Sequence, residues 1–226
     1  MVWDPAQYLK FGDHRLRPAI DLLNRIGAEA PDEVYDLGAG AGNVTKLIRA
    51  RWPEARITGV DSSEAMLAKA AAAVPDVAWQ QADLASWQPP RPADVIYSNA
   101  ALHWLTAHSE VFPSLVRALK PGGTLAVQMP RNFLAPSHTA IDEAARSGPW
   151  RDKLEPLLRP VPVSEPAFYF DLLAPLTAEL DIWETEYLHV LEGDDPVKEW
   201  TKATWLNPLL DALEESDRGQ FERRYA

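Results

Sequence analysis

The sequence predicts an α/β fold: a mostly parallel sheet with helices on both faces. Three observations point to it. Strand and helix signals alternate strictly from residue 34 to residue 130, the grammar of βαβ units joined by right-handed crossovers. A glycine-rich turn, Gly38-Ala39-Gly40-Ala41-Gly42, follows the first strand directly. Acids fall at the ends of the first three strands, as Asp36, Asp61 and Asp83. The 226 residues, 46% of them apolar, suffice for one generous domain with a real core, and 1–226 reads as a single domain.

Taken in order, residues 1–30 read as a helical lid. Leu9, Phe11, Leu16, Ile20, Leu22, Leu23 and Ile26 recur at helical spacing, and Pro18 interrupts them, so two short helices with a bend are expected. The core covers 31–130. Its first strand is 34–37, running into the glycine turn, and 43–51 is a helix. The second strand is 56–60. Ser62-Ser63-Glu64 caps the next helix, with Met66, Leu67, Ala70 and Val74 on its buried face. Residues 77–81 form the third strand. Residues 94–98 form the fourth, apolar enough to be buried on both faces. A helix over 109–119 stops at Lys120-Pro121-Gly122-Gly123, and 124–129 is the fifth strand.

Past Pro130 the pattern loosens, and proline-rich 131–175 reads as an insertion of short helices and turns. Residues 176–226 hold a sixth strand and C-terminal helices. In 180–191, Ile182, Glu184, Glu186 and Leu188 alternate with Trp183, Thr185 and Tyr187, the period of a strand with one face to solvent. Residues 195–225 are helical with a break at Pro208. No seventh strand follows, which would leave a sheet edge unpaired and suggests a shortened chain.

Composition narrows the function. A formal net charge of −11 argues against a nucleic-acid groove binder, which needs clustered cations. It does not forbid a small anionic substrate, since a few local arginines can reverse the sign inside a pocket. There is no cysteine, which excludes disulfides, thiolate zinc and a cysteine nucleophile, and no metal site is expected. The N-terminus lacks a signal-peptide pattern. No stretch approaches the roughly 20 apolar residues of a membrane span, so the expectation is a cytoplasmic protein with a small-molecule partner and no membrane or nucleic-acid partner. The oligomeric state stays open.

The glycine turn lets a ligand approach the backbone where a side chain would collide, and the helix after it presents free N–H groups. A dinucleotide fingerprint needs G-x-G-x-x-G, whereas here Gly38, Gly40 and Gly42 are followed by Asn43. Asp36 before the turn suits a cationic amine rather than a pyrophosphate. Asp61 stands 21 residues past Gly40 and can accept both hydroxyls of a ribose, and Asp83 can hold an adenine amino group. Aspartate is common at strand-to-helix junctions. Three of them at successive strand ends, beside one glycine turn, are harder to assign to that cause, because ligands of open α/β sheets bind at those ends.

Asp36 to Gly42 resembles motif I of class I S-adenosylmethionine methyltransferases. Val60-Asp61-Ser62-Ser63 with Met66 resembles motif II, Ala82-Asp83-Leu84 the third motif, and Leu119-Lys120-Pro121-Gly122-Gly123 the turn after it. More specifically, the chain resembles the trans-aconitate 2-methyltransferase family. That likeness lies in Trp3, Tyr8-Leu9, Phe11, Arg15-x-Arg17-Pro18-Ala19, Asn99-Ala100-Ala101-Leu102-His103-Trp104 and Ala126-Val127-Gln128-Met129-Pro130-x-Asn132. It continues in Gly148-Pro149-Trp150 and Asp181-Ile182-Trp183.

The resemblance implies a Rossmann-like fold and S-adenosyl-L-methionine as cofactor. Asp36, Gly38, Ala39 and Gly40 would face its methionine end, Asp61 its ribose, and Asp83 with Leu84 its adenine. Ser62 and Met66 would line the same cleft, Asn99 would lie beside the sulfonium, and Tyr8 and Arg15 would close over it. Arg17, His103, Trp104, Arg131, Asn132 and Tyr169 are the candidates for holding substrate.

Three departures stand out. His103 replaces an expected Gln, Arg131 an expected Asp, and Trp205-Leu206-Asn207-Pro208 a Gly-Leu-Arg-Pro run. Arg131 compensates for that arginine, or the substrate differs.

The implied reaction is methylation of a carboxylate oxygen of a small polycarboxylic acid, trans-aconitate giving its monomethyl ester. A carboxylate is already ionised at neutral pH, so no catalytic acid, base or covalent nucleophile is assigned. Trp104 and the Trp183/Tyr187 pair also have plain packing readings, and His103 that of a histidine bonded to nearby backbone. The alternatives are the same cofactor with another small acid or a hydroxyl, a nicotinamide-dependent oxidoreductase, and a non-enzymatic binding protein. Removing the Asp61 side chain is expected to weaken cofactor binding while leaving thermal stability nearly unchanged.

Overall fold

The structure, a computed structural model, describes residues 12–226, without the side chains of residues 12–15, 203 and 204. The chain forms two compact units. One comprises residues 15–130 and 163–184, and the described part of the other comprises 12–14, 131–162 and 185–226.

The first unit is built on a five-stranded, wholly parallel sheet of β1 (Glu33–Leu37), β2 (Arg56–Asp61), β3 (Ala78–Gln81), β4 (Ala93–Asn99) and β5 (Leu119–Gln128). The order is β3-β2-β1-β4-β5. Helix α1 (Gly12–Arg25) precedes the sheet. Helices α2 (Asn43–Arg51), α3 (Glu64–Ala73) and α4 (His108–Arg117) connect its strands. The chain steps outward from β1 to β3 and returns past β1 to β4. Right-handed crossovers therefore put α2 and α3 on one face and α4 on the other.

Central β1 is buried at every position, as a strand covered on both faces must be. One face packs Val34, Ile57, Val95 and Tyr97 against Leu22, Leu23 and Ile26 of α1 and its end, and against Ile48 of α2. Tyr97, fully buried, donates its hydroxyl proton to the Ala19 carbonyl at 2.8 Å, and burial raises its pKa. On the other face Tyr35 meets Trp87 edge-on, ring centroids 5.2 Å apart.

The amino ends of the strands are tied by charge. Glu33 accepts from Arg56 at 2.7 Å and Arg91 at 3.0 Å. Burial pushes the Glu33 carboxyl up, but the two guanidiniums outweigh it and hold the pKa below the ordinary value. Asp94 accepts the backbone N–H groups of Asp32 and Glu33 and the Lys120 ammonium, which sets the register of β1 against β4.

Three expectations change. Residues 12–25 form one continuous helix with Pro18 inside it, since its missing N–H removes only one bond of the ladder; residues 1–11 lie outside the described residues. The Lys120–Gly123 turn is absorbed into β5 as a bulge. Pairing jumps from Ala93↔Leu119 to Val95↔Thr124, with Gly122 supplying φ +79°.

Residues 180–191 form no strand. Alternation alone does not make one without a sheet edge to pair, and Leu188 and Val190 stay 88% and 84% exposed. Instead Asp181 accepts from Arg25 at 2.7 Å, and the same guanidinium lies 5.1 Å over the Trp183 ring. The 163–184 segment also carries α7 (Pro166–Leu173).

The second unit is helical. It holds α5 (Pro136–Ser147), α6 (Arg151–Leu154), α8 (Pro196–Thr201), α9 (Asn207–Asp211) and α10 (Glu215–Tyr225). They surround Ile141, Trp150, Leu154, Leu206, Leu209 and Phe221. A π-turn over Lys202–Leu206 precedes Pro208, so the break expected there is a widened turn. Among the described residues no helix is long and apolar enough to cross a membrane.

Replacing Tyr97 by Phe deletes the tie from β4 to α1. Urea unfolding is expected to show a loss of about 1 kcal/mol; a variant as stable as the parent removes that bond from the stabilising set.

Candidate functional site

In the order β3-β2-β1-β4-β5 the direction of winding reverses between β1 and β4, and ligands of open α/β sheets bind outside the carboxyl ends at such a reversal. The candidate residues gather there because Leu37, Asp61 and Asn99 end their strands, while Asp83 lies just past β3.

The three glycines of the turn have left-handed φ values, +77°, +56° and +82°, but serve different ends. The N–H groups of Gly38 and Ala39 both donate to the Val60 carbonyl, at 2.8 and 3.0 Å. A Cβ on Gly38 would lie 2.1 Å from that of Ala101, with Leu84 Cδ1 at 3.9 Å, so the turn after β1 closes directly on the one after β4. Gly42 opens α2 and abuts Trp79 and Ala70. Gly40 has nothing within 4 Å of where its Cβ would stand. Packing requires the outer glycines, and the middle one faces open space.

Asp61 connects this turn to the next. Its Oδ2 accepts the Gly40 N–H at 2.9 Å and its Oδ1 the Ser63 N–H at 2.8 Å. Each carboxylate oxygen keeps a second lone pair. This corrects the expectation that the side chain is dispensable for stability, because its removal strands two backbone donors. Ser63 caps α3 through the Met66 N–H, Met66 is buried, and Ser62 is exposed. Asp83 is exposed and accepts the Ala85 N–H at 2.9 Å.

Asp36 is only 2% exposed, and its partner is the Thr45 hydroxyl, donating at 2.5 Å. Burial drives its pKa up to about 7. The Thr45 bond opposes the shift and nearby Asp61 adds to it. Thr45, in the first turn of α2, was not singled out from the sequence. Its signal there was weak: one hydroxyl nine residues after the acid.

Across the reversal, the Asn99 Oδ1 is buried and accepts no hydrogen bond, a polar atom left for a ligand or solvent to satisfy. Ala100 follows at φ +50°, a strained value for a residue with a Cβ, and its N–H donates to the Gln128 carbonyl at 3.0 Å. A 3₁₀ turn, Leu102–Trp104, comes next. His103 is buried there, its ring centroid 4.6 Å from that of Trp104.

Tyr169 is buried in α7 and bonded to His108 of α4 at 2.8 Å, and Arg17 is exposed on α1. Arg131 and Asn132 are exposed and belong to the other unit. Tyr8 and the Arg15 side chain lie outside the described residues. Ala101, Leu102 and His108, which shape the turn after β4, were not assigned site roles from sequence; the partners that reveal Ala101 and His108, Gly38 and Tyr169, are distant in the chain.

A family model described as a methyltransferase domain matches residues 34–123. Among curated proteins the chain is 45% identical to a trans-aconitate 2-methyltransferase of Azoarcus sp. (strain BH72), covering 99% of this chain and 88% of the relative. It is 47% identical to one of Streptomyces avermitilis, covering 99% and 86%, and 44% identical to one of Escherichia coli O157:H7 with the same coverage. Among solved structures, a complex between the Haloferax volcanii Trm112 methyltransferase activator and a putative methyltransferase superposes with a TM-score of 0.59. It does so at 19% identity, over 91% of this chain and 94% of that one, a likeness of fold.

Two predictions come from the geometry. Gly38→Ala forces a side chain into Ala101 at a left-handed φ and should cost more than about 3 kcal/mol, whereas Gly40→Ala should cost only the left-handed penalty, about 1 kcal/mol. Urea unfolding compares them, and equal losses would contradict the division of roles. For Asp36, the folded pKa is raised from 3.8 to about 7. Its contribution is therefore fully present below pH 3.8 and lost as pH rises through 7, at about 1.4 kcal/mol per unit of elevation. Without ligand, the parent should lose stability relative to Asp36→Asn between pH 4 and 7, with the gap constant above. Parallel melting curves across that range would show that Asp36 does not ionise there.

Proposed function

The chain belongs to the trans-aconitate 2-methyltransferase family, class I S-adenosylmethionine-dependent methyltransferases, and from that premise we propose that it esterifies a carboxylate of trans-aconitate at the β1/β4 reversal. One observation carries the siting: the Asp61 carboxylate is bonded to the N–H of Gly40, the single glycine of the turn that faces open space. S-adenosylmethionine supplies an electrophilic methyl group on a positively charged sulfur.

The residues suit such a ligand. Gly40 admits it to the backbone. Asp61, already oriented by two N–H groups, accepts the ribose hydroxyls on its remaining lone pairs. Leu84 and Asp83 receive the adenine, while Ser62, Met66 and Ala39 line the cleft. Asp36 provides negative charge at the methionine end. An approaching cation favours its ionised form, so the bound state sheds the proton that burial retains in the free one. Asn99 Oδ1, buried without a donor, lies where the sulfonium end would be. By resemblance to the family, Tyr8 and Arg15 also belong to the cofactor's contacts.

The acceptor carboxylate arrives ionised and needs no base. The protein's task is to strip its water, align one oxygen behind the methyl carbon and hold the other carboxylates. His103, Trp104 and Arg17 carry that part.

Calorimetry with S-adenosylhomocysteine, repeated with trans-aconitate added, tests the reading. Asp61→Asn keeps the shape but can accept only one of the two backbone N–H groups. It should bind S-adenosylhomocysteine at least tenfold more weakly and lose about 1–2 kcal/mol of stability. Undiminished binding would remove Asp61 from the site. A panel of small acids and hydroxyl compounds, with mass detection of methylated product, assigns the acceptor. Turnover of another acid but not trans-aconitate would transfer the family's activity to a different substrate, as His103 in place of glutamine would then explain.

A further inference from the structure

The turn that carries Asn99, Ala100 and His103 is held from below by a chain of hydrogen bonds that the reaction itself does not use. Leu102, wholly buried, presents its carbonyl to two donors: the Leu105 N–H at 3.0 Å and His108 Nε2 at 2.9 Å. A carbonyl only accepts, so Nε2 carries a proton, and in the neutral ring Nδ1 is then the acceptor. The Tyr169 hydroxyl, 2.8 Å from Nδ1, must therefore donate to it. The tyrosine oxygen in turn accepts the Ser164 N–H at 3.2 Å.

The sequence is thus directional: Ser164 N–H to Tyr169, Tyr169 O–H to His108, His108 N–H to Leu102. Every member is satisfied, and the hydroxyl has no proton left for a substrate. Apolar packing locks the two rings. Phe112 lies 5.3 Å from the His108 ring and 5.2 Å from the Tyr169 ring, centroid to centroid, and both residues are more than nine-tenths buried.

We propose that His108 and Tyr169 are positioning residues for methyl transfer. They fix the Ala100–Trp104 turn from the α4/α7 side without touching substrate or cofactor. This rests on the reading that the β1/β4 reversal is the methyl-transfer site, and it moves Tyr169 from the substrate-holding set to the supports of that site.

The reason a support is needed lies in the turn itself. Ala100 holds an unfavourable φ, so the turn relaxes unless something pins it, and Ala101 must keep its place beside Gly38, where a Cβ would have stood. An error of an ångström in aligning reactants costs far more in turnover than in binding. The cofactor's grips, Gly40 and Asp61, lie on the other side of the reversal and are untouched by the relay.

The test uses Tyr169→Phe, His108→Gln and His108→Asn in the full chain. Gln can place its amide N–H near the position of Nε2 and keep Leu102 pinned, while Asn retains only the acceptor near Nδ1. With trans-aconitate, kcat should fall at least tenfold in Tyr169→Phe and His108→Asn. The KM for acceptor and the affinity for S-adenosylhomocysteine should stay within about twofold, and His108→Gln should recover most of kcat. Independently of any acceptor, hydrogen exchange at the Trp104 and Leu105 amides should quicken at least tenfold in Tyr169→Phe, with Gly38 and Ala39 unchanged.

Parental kcat and parental exchange in Tyr169→Phe would overturn the proposal, and so would a raised KM at unchanged kcat, which would return the hydroxyl to the substrate. A parent protein that binds no S-adenosylhomocysteine refutes the site reading instead. The exchange result then still decides whether the relay pins the turn.

Discussion

The geometry of the cofactor end depends on one carboxylate acting as a bracket. Asp61 terminates β2, and its two oxygens take one N–H from the glycine turn and one from the start of α3. Two loops that would otherwise move separately are referred to the same rigid strand end. The bracket uses one lone pair of each oxygen and leaves the others directed away from the backbone. A group that both builds a site and serves a ligand is oriented before the ligand arrives, so little ordering cost remains at binding. The facing side of the reversal works by sterics. Gly38 lacks a Cβ because Ala101 occupies its place, and this contact brings the turns after β1 and β4 together.

Much of this was legible in the residues. The five parallel strands follow from alternating apolar runs, and the strand-end acids fall where the sheet topology puts them. What could not be read is what depends on contacts between distant positions. Three glycines spaced by two look equivalent in sequence, and only the structure distinguishes the two required by Ala101 and Trp79 from the one beside open space. Asp61 looked like a pure ligand contact because backbone N–H groups leave no trace in residue identity. The bond between Tyr169 and His108 joins positions 61 residues apart, a pairing that residue identity does not report. Residues 180–191 carry a genuine period of two, yet strand formation needs a partner edge, and periodicity does not report one. The segment 131–184 offered no marker that 131–162 and 163–184 belong to different compact units.

The two ends of the sheet are built on opposite electrostatic rules. At the amino ends every acid has a cation or backbone donor: Glu33 has two guanidiniums, and Asp94 has an ammonium and two N–H groups. Their pKa values are lowered, and these groups stabilise the fold. At the carboxyl ends Asp36 is buried with a single hydroxyl, near a second acid, and Asn99 has an unmatched oxygen. A sulfonium nucleoside with a free amine carries a charge that suits that end. Functional ends of proteins commonly hold such unbalanced groups, whose cost the remainder of the fold offsets.

Trp79 joins positions that no short motif connects. Its indole fills the space a side chain on Gly59 would need, with ring carbons 2.2 and 2.5 Å from that point, and its far edge reaches within 3.1 Å of the equivalent point on Gly42. One aromatic ring on β3 thereby dictates the smallest residue both in the middle of β2 and at the mouth of α2. Trimming the ring would relieve only part of this: Gly42 would still be held to glycine by its left-handed φ of +82° and by Ala70, whereas Gly59 would keep only the Ala39 methyl nearby.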